Sequence, residues 1–197
     1  MSLVQRRFGG KVRQHVFLAD VPTYPRPLLI TDAAINIDPS LAEKVDIVQN
    51  AIDLAHVLGI VEPKVAILAA IEMVNPAMRA TTDAAALCKM ADRRQITGGV
   101  LDGPLAFDNA VSLVAAKTKG ILSAVAGRAD ILVVPDLESG NMLAKQLEYL
   151  AGALLAGVVI GASVPIVLTS RADSVESRAA SCAIAVLMAH AKRKRAA

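Results

Sequence analysis

Short runs of aliphatic residues alternate along this chain with longer segments of helical periodicity, and this alternation constrains its fold more than any other feature. Runs of strand length cover residues 15–22, 27–37, 64–72, 100–102, 131–134, 158–163 and 165–170. Strands that alternate with helices indicate an α/β fold. Because aromatic residues make up only 3% of the 197, the core has to consist of Ala, Val, Ile and Leu, which suits a parallel or mixed sheet covered by helices.

The helices are predicted from apolar side chains at three- and four-residue steps and from capping residues. They cover residues 40–58, 81–93, 108–117, 141–150 and 171–194. Thr81 or Thr82 is expected to cap the second helix. The turn Gly103–Pro104 is expected to end its strand, and residues 135–140 to form a loop. In the closing helix one stripe joins Ala179, Cys182, Ala183, Val186, Leu187 and His190.

Charge and hydropathy exclude several classes of protein. Residues 1–13 and 192–195 each carry four basic and no acidic side chains, so residues 14–191 carry a formal charge of −5 although the whole chain carries +3. With no nucleic-acid-binding motif beside these basic ends, we predict no nucleic-acid partner. The uncharged stretch 149–170 is long enough to span a bilayer, at about 20 residues. Glycines and Pro165 interrupt it, so we predict helix end, strand, turn and strand, no membrane span and a cytoplasmic location.

The cysteines and histidines follow no pattern that carries chemistry. Cys88 and Cys182 lie far apart in sequence and are predicted to be small buried side chains. The three histidines have no metal-ligand spacing, so no metal site is predicted. No dinucleotide fingerprint, phosphate-binding P-loop or nucleophile elbow occurs in the chain, which disfavours a dehydrogenase or a serine hydrolase.

Polar residues follow two predicted strands directly before a helix. The first junction holds Asp136, Ser139, Gly140 and Asn141, and the second holds Ser170, Arg171 and Asp173. Ligands of open α/β sheets gather at the carboxyl ends of strands, where helix N–H groups favour phosphate. Ser139, Asn141, Asp173 and Ser174 can equally serve only as helix caps, whereas Arg171 has no acceptor for that role. Gly103 is a further candidate for substrate binding, with a turn as its alternative role.

Several stretches of this sequence together resemble one enzyme family over residues 14–191. They include ITGGVLDGPLAFDNA, ADILVVPDLESGNMLAKQL and PIVLTSRADS, with ITDAAINI, DIVQNAIDLAHVLGI, KVAILAAIE and DAAALCKMADR. The pattern resembles the phosphate acetyl/butyryl transferases, and within them the butyryl branch and the forms fused to an enoyl-CoA hydratase-like domain. The resemblance implies interconversion of acyl-CoA and inorganic phosphate with acyl phosphate and CoA. It implies no tightly bound cofactor, since CoA is a substrate, and no metal.

The resemblance also implies roles for individual residues. Ser170 and Arg171 match a pair that binds substrate and assists the reaction, while the family's catalytic aspartate falls on Ser177 and a binding arginine falls near Tyr149. Asp173 or Glu176 would then have to act as the base. That base would take the proton of the CoA thiol, because the thiolate is the competent nucleophile. Arg171 would hold phosphate charge and Ser170 would stabilise the oxyanion, with Asp136, Ser139, Gly140, Asn141 and Gly103 binding substrate.

The family fold implied by the resemblance resembles isocitrate and isopropylmalate dehydrogenases, with two α/β domains around a cleft. We expect residues 14–157 to form the middle domain, with the substrate cleft and a dimer contact, and residues 158–197 to be the last strand and helix of an otherwise missing first domain. With one wall of the cleft absent, we expect weak activity and a homodimer or higher homo-oligomer. The alternative is a non-catalytic remnant that dimerises or binds anions.

Overall fold

The strands of the computed structural model, which describes residues 13–196, form a seven-stranded mixed sheet in the order β4-β3-β5-β2-β1-β6-β7. They are β1 (Gln14–Asp20), β2 (Leu28–Thr31), β3 (Lys64–Leu68), β4 (Val100–Leu105), β5 (Ile131–Val133), β6 (Leu154–Ile160) and β7 (Ile166–Val167). The first four strands in that order are parallel, whereas β1 is antiparallel to β2 and β6, and β7 is antiparallel to β6. The predicted α/β class is confirmed. The basic segment at residues 1–12 lies outside the described residues.

Helices cover both faces of this sheet. They are α1 (Leu41–Val57), α2 (Arg79–Asp92), α3 (Phe107–Val111), α4 (Leu113–Thr118), α5 (Leu137–Ala151) and α6 (Val175–Ala196). Side chains of α1, α2 and α6 share one apolar core with the sheet, and side chains of α3, α4 and α5 share the other. Both cores consist almost entirely of Ala, Val, Ile and Leu, as the low aromatic content requires.

The helix predicted at 40–58 forms as expected because its first turn is capped from both sides. The Ser40 hydroxyl accepts a hydrogen bond from the Glu43 backbone N–H, and the Glu43 carboxylate accepts one from the Ser40 N–H at 2.8 Å. This reciprocal capping box satisfies two N–H groups that the helix itself leaves unpaired. Gly59, at φ +90°, follows the helix and allows the chain to turn away.

The start of α2 differs from the prediction. Met78 occupies the N-cap position without a side-chain hydrogen bond, so neither Thr81 nor Thr82 is the cap. The Thr81 hydroxyl lies within the helix, buried, near the carbonyl oxygens of Asn75 (2.9 Å) and Met78 (2.8 Å). A threonine that can bond the preceding turn is tolerated inside a helix, and this helix begins at Arg79, two residues before the predicted start.

Two further boundaries also differ. Strand β4 continues through Gly103 and Pro104 instead of turning there, which an edge strand permits because a proline lacks only an N–H that can face away from the sheet. The helix predicted at 108–117 is two short helices, because the Ser112 hydroxyl accepts a hydrogen bond from the Ala115 N–H and caps a new helix.

The uncharged stretch 149–170 forms the end of α5, strand β6, a turn and strand β7, as predicted. None of the helices described between residues 13 and 196 is both long and apolar enough to cross a membrane. The proposed division between residues 157 and 158 falls inside β6, whose seven residues all pair with β1 in the one sheet. The assignment of 158–197 to a separate domain stays a prediction.

The apolar stripe predicted on the closing helix faces outward. Val186 and Leu187 are 64% and 49% exposed, and Cys182 is exposed as well. The face of α6 that packs on the sheet instead carries Ser177, Ser181 and Ile184. Cys182 is therefore not the buried side chain that was predicted, whereas Cys88 is half-buried, with its Sγ 3.7 Å from the carbonyl oxygen of Gly103.

A buried ion pair joins α1 to α2. The Lys44 Nζ lies 2.7 Å from Asp83 Oδ2, and the side chains are 3% and 11% exposed. Arg79 adds a second cation, with its Nε 3.7 Å from the same oxygen. Charges this far from water are tolerated only when they are paired.

We predict that Lys44→Met lowers the free energy of unfolding by about 3–5 kcal/mol, because it leaves the Asp83 carboxylate buried beside only the more distant Arg79. Urea unfolding measures the change. Lys89→Met is the matched control, since Lys89 pairs with Asp92 on the exposed surface of α2, and it is expected to have no measurable effect. A loss for Lys44→Met no larger than that of the control would contradict the prediction.

We also predict that the two thiols differ strongly in reactivity. Burial, together with the negative charges of Asp102 and Asp92, raises the pKa of Cys88 to about 12, so it holds little thiolate at pH 8. A disulfide reagent should therefore label exposed Cys182 at least about 100-fold faster than Cys88. Cys182→Ser should remove the fast phase and Cys88→Ser should leave it; the opposite assignment would contradict the described packing.

Candidate functional site

The carboxyl end of β2 is organised by the buried carboxylate of Asp32. This residue is 3% exposed, and its Oδ1 accepts hydrogen bonds from the backbone N–H groups of His15 (3.1 Å), Ala34 (3.1 Å) and Ile35 (3.2 Å). Its Oδ2 accepts from the backbone N–H of Asn36 at 2.9 Å and from the side-chain amide of the same residue. A buried charge requires such donors, and together they fix the loop at residues 32–36.

This loop in turn positions α5. The N–H of Leu137, the first residue of α5, donates to the carbonyl oxygen of Ile37 at 3.0 Å. The side-chain amide of Asn141, one turn later, donates to the carbonyl oxygen of Ala33 at 3.3 Å. Asn141, predicted to bind substrate, therefore holds the helix against the β2 loop.

Gly140 makes the closest approach between α5 and the sheet. A Cβ atom at this position would lie 2.7 Å from Val134 Cγ2, closer than real Cβ atoms come, and 3.0 Å from the carbonyl oxygen of Asp32, which is tighter than most such contacts. Packing therefore favours glycine here. The residue was predicted to lie in a loop, but it belongs to the first turn and a half of α5.

Asp136 and Ser139 form the cap of α5. Asp136 Oδ1 accepts hydrogen bonds from the Ser139 N–H at 2.8 Å and from the Ser139 hydroxyl at 2.7 Å. The helix therefore begins at Leu137, several residues before the predicted start at Asn141. Asp136 is thus the N-cap of α5, and Ser139, for which capping was the alternative interpretation, is bonded to it within the first turn.

A cavity of about 370 Å³ opens beside this cap, between the carboxyl ends of β3, β4 and β5 and the first turns of α2 and α5. We refer to it as the acyl-side cavity. It is lined by Leu68, Ala69, Ala70, Met78, Ala80, Phe107, Val134, Pro135, Asp136, Ser139 and Leu143. Only the capping pair is polar, so the cavity has an apolar floor and a polar rim. Of the predicted substrate-binding residues, the structure brings Asp136 and Ser139 to the cavity.

Gly103 has a packing role in the structure. It lies in β4, where an added Cβ would be 2.8 Å from both the Cβ and the carbonyl oxygen of Ile67, and 3.2 Å from the Cβ of Ala84. It does not line the acyl-side cavity. Close packing of α2 and β3 therefore accounts for glycine at this position.

Ser170, Arg171 and Asp173 form the turn between β7 and α6. The Ser170 N–H donates to Asp173 Oδ2 at 2.7 Å, and the Ser170 hydroxyl accepts from the Ala172 N–H at 3.3 Å. The Arg171 side chain is exposed, while its carbonyl oxygen accepts from the Arg178 guanidinium at 3.3 Å. Ser174, not Asp173, accepts the N–H of Ser177 in the first turn of α6.

The two predicted groups of site residues lie apart in this fold. The acyl-side cavity is at β3, β4 and β5, whereas the Ser170 turn follows β7, which is the last strand at the other side of the sheet. Four strand spacings separate β5 from β7, or roughly 19 Å at about 4.8 Å per spacing. No hydrogen bond or ion pair described between residues 13 and 196 joins Ser170, Arg171 or Asp173 to Asp136 or Ser139, although the charge of Asp173 acts on Lys145 of α5. Their catalytic roles stay a prediction.

His15 links the two regions and was not predicted to do so. Its ring is 1% exposed and its Nε2 lies 3.3 Å from the carbonyl oxygen of Leu168, two residues before the Ser170 turn. Burial lowers the pKa of His15, against the hydrogen bond to Leu168 and the charges of Asp32 and Asp173, which raise it. The imidazole therefore favours its neutral form.

Sequence reasoning also missed Arg79 and a polar cluster beside the cavity. Arg79 stands between two cavity-lining residues, and its guanidinium bonds the Asp38 carboxylate and lies close enough to Asp136 for that charge to raise the pKa of Arg79. Next to the cavity-lining Phe107, Asp108 lies 3.0 Å from Lys119 Nζ, which is 3.5 Å from Glu72. No sequence pattern marked these residues as a group.

The structure defines an α/β protein with a candidate ligand site at the carboxyl edge of its parallel strands, which is where such folds bind small molecules. The chain belongs to the family whose model is described as phosphate acetyl/butaryl transferase, which matches residues 1–186. Within residues 13–196, no three His, Cys, Asp or Glu side chains are grouped so that they could hold a metal ion.

Similar proteins carry both names of this family. The chain is 64% identical to a phosphate acetyltransferase of Rhizobium meliloti over 93% of its own length and 57% of that protein. It is 48% identical to a phosphate butyryltransferase of Clostridium acetobutylicum over 95% of its length and 64% of that protein. The chain thus spans little more than half of these curated relatives. The names do not decide between the two branches.

Solved structures agree with the fold. A branched-chain phosphotransacylase from Enterococcus faecalis is 36% identical, with a TM-score of 0.85 over 94% of this chain and 67% of that one. A phosphotransacetylase from Streptococcus pyogenes is 28% identical, with a TM-score of 0.75 over 91% of this chain and 54% of that one. The fold is therefore close to that of phosphotransacylases, while the relation to isocitrate and isopropylmalate dehydrogenases stays a prediction.

We predict that Gly140→Ala lowers the free energy of unfolding by about 1–3 kcal/mol, the range for overpacking a tight contact, because the new methyl group meets Val134 and the Asp32 carbonyl oxygen. Gln146→Ala, on the exposed side of the same helix, is the matched control and should change stability by less than about 0.5 kcal/mol. Chemical unfolding compares the two. Equal stability of Gly140→Ala and the unmodified chain would contradict the assigned packing role.

Proposed function

We propose that this chain contributes to an acyltransferase site that interconverts a short-chain acyl-CoA plus inorganic phosphate with acyl phosphate plus CoA. The proposal is supported by family membership and by the names of the relatives. The single structural observation that carries it is the acyl-side cavity, with its apolar floor and polar rim. The apolar floor suits the acyl chain, and the polar rim, which Arg79 approaches, suits the phosphate.

The cavity suits the chemistry of acyl transfer. A phosphate oxygen attacks the thioester carbonyl carbon, the carbon–sulfur bond breaks, and the sulfur leaves as the CoA thiolate. The acyl chain would lie against the floor formed by residues such as Ala69 and Val134, where water has little room to hydrolyse the acyl phosphate. The carbonyl would then be at the rim, beside Asp136 and Ser139.

Cationic groups for the phosphate are available in two places. Arg79 lies in the chain between Met78 and Ala80, which both line the cavity. It is therefore the basic residue closest in sequence to the cavity lining. Arg171 is exposed in the turn after β7. Because Arg171 shares its turn with Ser170 and Asp173, it would hold the reacting phosphate at the thioester end of the acyl-CoA, together with them.

The predicted mechanistic roles remain part of this proposal. Asp173 would accept the CoA thiol proton in the direction of acyl-CoA formation, and Ser170 would donate a hydrogen bond to the carbonyl oxygen. In the structure the Asp173 carboxylate and the Ser170 hydroxyl both accept backbone hydrogen bonds within their own turn. These roles therefore require the turn to open toward the thioester. Action in the cytoplasm and as a homodimer or higher homo-oligomer also stays a prediction.

A second candidate function is an anion-binding or dimerising module without turnover. The observation that favours it is the separation of the Ser170 turn from the cavity by four strand spacings. The two candidates differ in a direct assay. Formation of butyryl phosphate from butyryl-CoA and phosphate by the purified chain supports the acyltransferase. Binding of acyl-CoA in calorimetry without any acyl phosphate favours the module.

We predict that Arg171→Lys weakens the use of phosphate or acyl-CoA by about 10- to 100-fold, because lysine keeps the charge but cannot bind two oxygens at once. Arg79→Lys tests the second cation in the same way. Arg128→Lys is the control, as Arg128 is an exposed arginine before β5. The measurement is kcat/KM, or Kd where no turnover occurs, and an Arg171→Lys value equal to that of the control would exclude Arg171 from the site.

A further inference from the structure

We infer that the acyl-side cavity holds the acyl chain and selects acyl groups of about four to six carbons over acetyl, with Ala80 and Leu143 setting the length that fits. This inference rests on the acyl transfer proposed above and adds the substrate class and the residues that choose it. It follows from the lining, the volume and the positions of these two side chains.

The lining excludes charged ligands from the floor. Nine of the eleven lining residues are apolar, and the two polar ones, Asp136 and Ser139, are hydrogen-bonded to each other at the rim. No lysine or arginine side chain belongs to this lining. A phosphate or a pyrophosphate placed on the floor would lose its water without gaining a cation, whereas an alkyl chain gains by leaving water.

The volume indicates an alkyl chain longer than one carbon. A methyl group is about the size of a water molecule, which occupies about 30 Å³, while the cavity measures about 370 Å³. An acetyl group would leave most of the apolar floor without a contact. Each further methylene group that is buried should improve binding about 4-fold, the equivalent of about 0.8 kcal/mol.

Ala80 and Leu143 line the cavity from opposite helices. Ala80 belongs to the first turn of α2 and Leu143 to the second turn of α5, and both are half-buried. Neither is part of the fully buried core, in contrast to Leu68 and Val134. Leu143 packs against the edge of the core, so Leu143→Ala is expected to cost some stability, but both side chains can be exchanged to change the volume of the cavity.

The test compares kcat/KM for acetyl-CoA, butyryl-CoA and hexanoyl-CoA in the full 197-residue chain and its variants. Ala80→Leu should lower the butyryl-to-acetyl ratio at least 10-fold, because the added side chain fills the space of the longer acyl group. Leu143→Ala should shift the preference the other way and raise the hexanoyl-to-butyryl ratio at least 4-fold. Opposite shifts from opposite volume changes are not expected from general destabilisation.

Two control variants are matched to these changes. Leu147→Ala lies one turn further along α5 and lines a different cavity of about 530 Å³, beyond Phe107, so it should leave both ratios unchanged. Ala77→Leu adds the same side chain at an exposed position before α2 and should also leave them unchanged. Thermal unfolding of each variant shows whether it is folded.

The outcomes separate this inference from the proposed function. Turnover with ratios that neither variant changes overturns the inference and leaves the acyltransferase intact. If no acyl-CoA is turned over, the ratio of the dissociation constants of butyryl-CoA and acetyl-CoA is measured by calorimetry. A ratio that falls in Ala80→Leu still supports the acyl pocket, and an unchanged ratio overturns it. Absence of any acyl-CoA binding overturns both proposals.

Discussion

The candidate site depends on one buried carboxylate. Asp32 accepts four backbone hydrogen bonds and one from a side-chain amide at the point where β2 ends, and the loop that it holds carries the acceptors for Leu137 and Asn141 of α5. Without this charge, the buried N–H of His15 would lack a partner, at a cost of about 1–3 kcal/mol, and three partly buried N–H groups of the loop would lose theirs. The position of α5, and with it the rim of the acyl-side cavity, therefore follows from a residue that does not line the cavity.

Strand direction then decides which polar residues can meet. The parallel strands β3, β4 and β5 end at one edge of the sheet, so the segments that follow them converge on the acyl-side cavity. Strand β7 runs antiparallel to β6, so the turn that contains Arg171 begins at the side and end of the sheet away from that convergence. Two sequence junctions that look alike, each a strand followed by polar residues and a helix, consequently have different neighbours. The two junctions differ in the direction in which their strands pair, parallel for β5 and antiparallel for β7. A local sequence motif carries no information about that direction.

The parts of the fold that sequence predicts well are those determined by local chemistry. Ser40 and Glu43 define a helix start by themselves, and the run at residues 131–134 can only be a buried strand. Ser139 and Gly140 were assigned to a loop because turn-forming residues surround them. In the structure, Asp136 caps a helix that begins at Leu137 and includes both residues. The acyl-side cavity could not be predicted, because its lining comes from three separated stretches of the chain, at residues 68–80, 107 and 134–143. Asp136 and Ser139 at its rim were predicted, since they follow a strand, whereas Arg79 beside them was not.

The closing helix shows that polar groups, as well as apolar ones, choose the buried face. Its apolar stripe is exposed, whereas Ser181 is fully buried against β6 and accepts the N–H of Gly157 at 2.9 Å. The same hydroxyl donates to the carbonyl oxygen of Ser177 at 2.8 Å, so both of its hydrogen-bonding functions are used. The same face of α6 also carries Ala180, Ile184 and Met188, which pack against the apolar core between this helix and the sheet. The buried face of the helix is therefore set jointly by these apolar contacts and by the one hydroxyl that satisfies the N–H of Gly157.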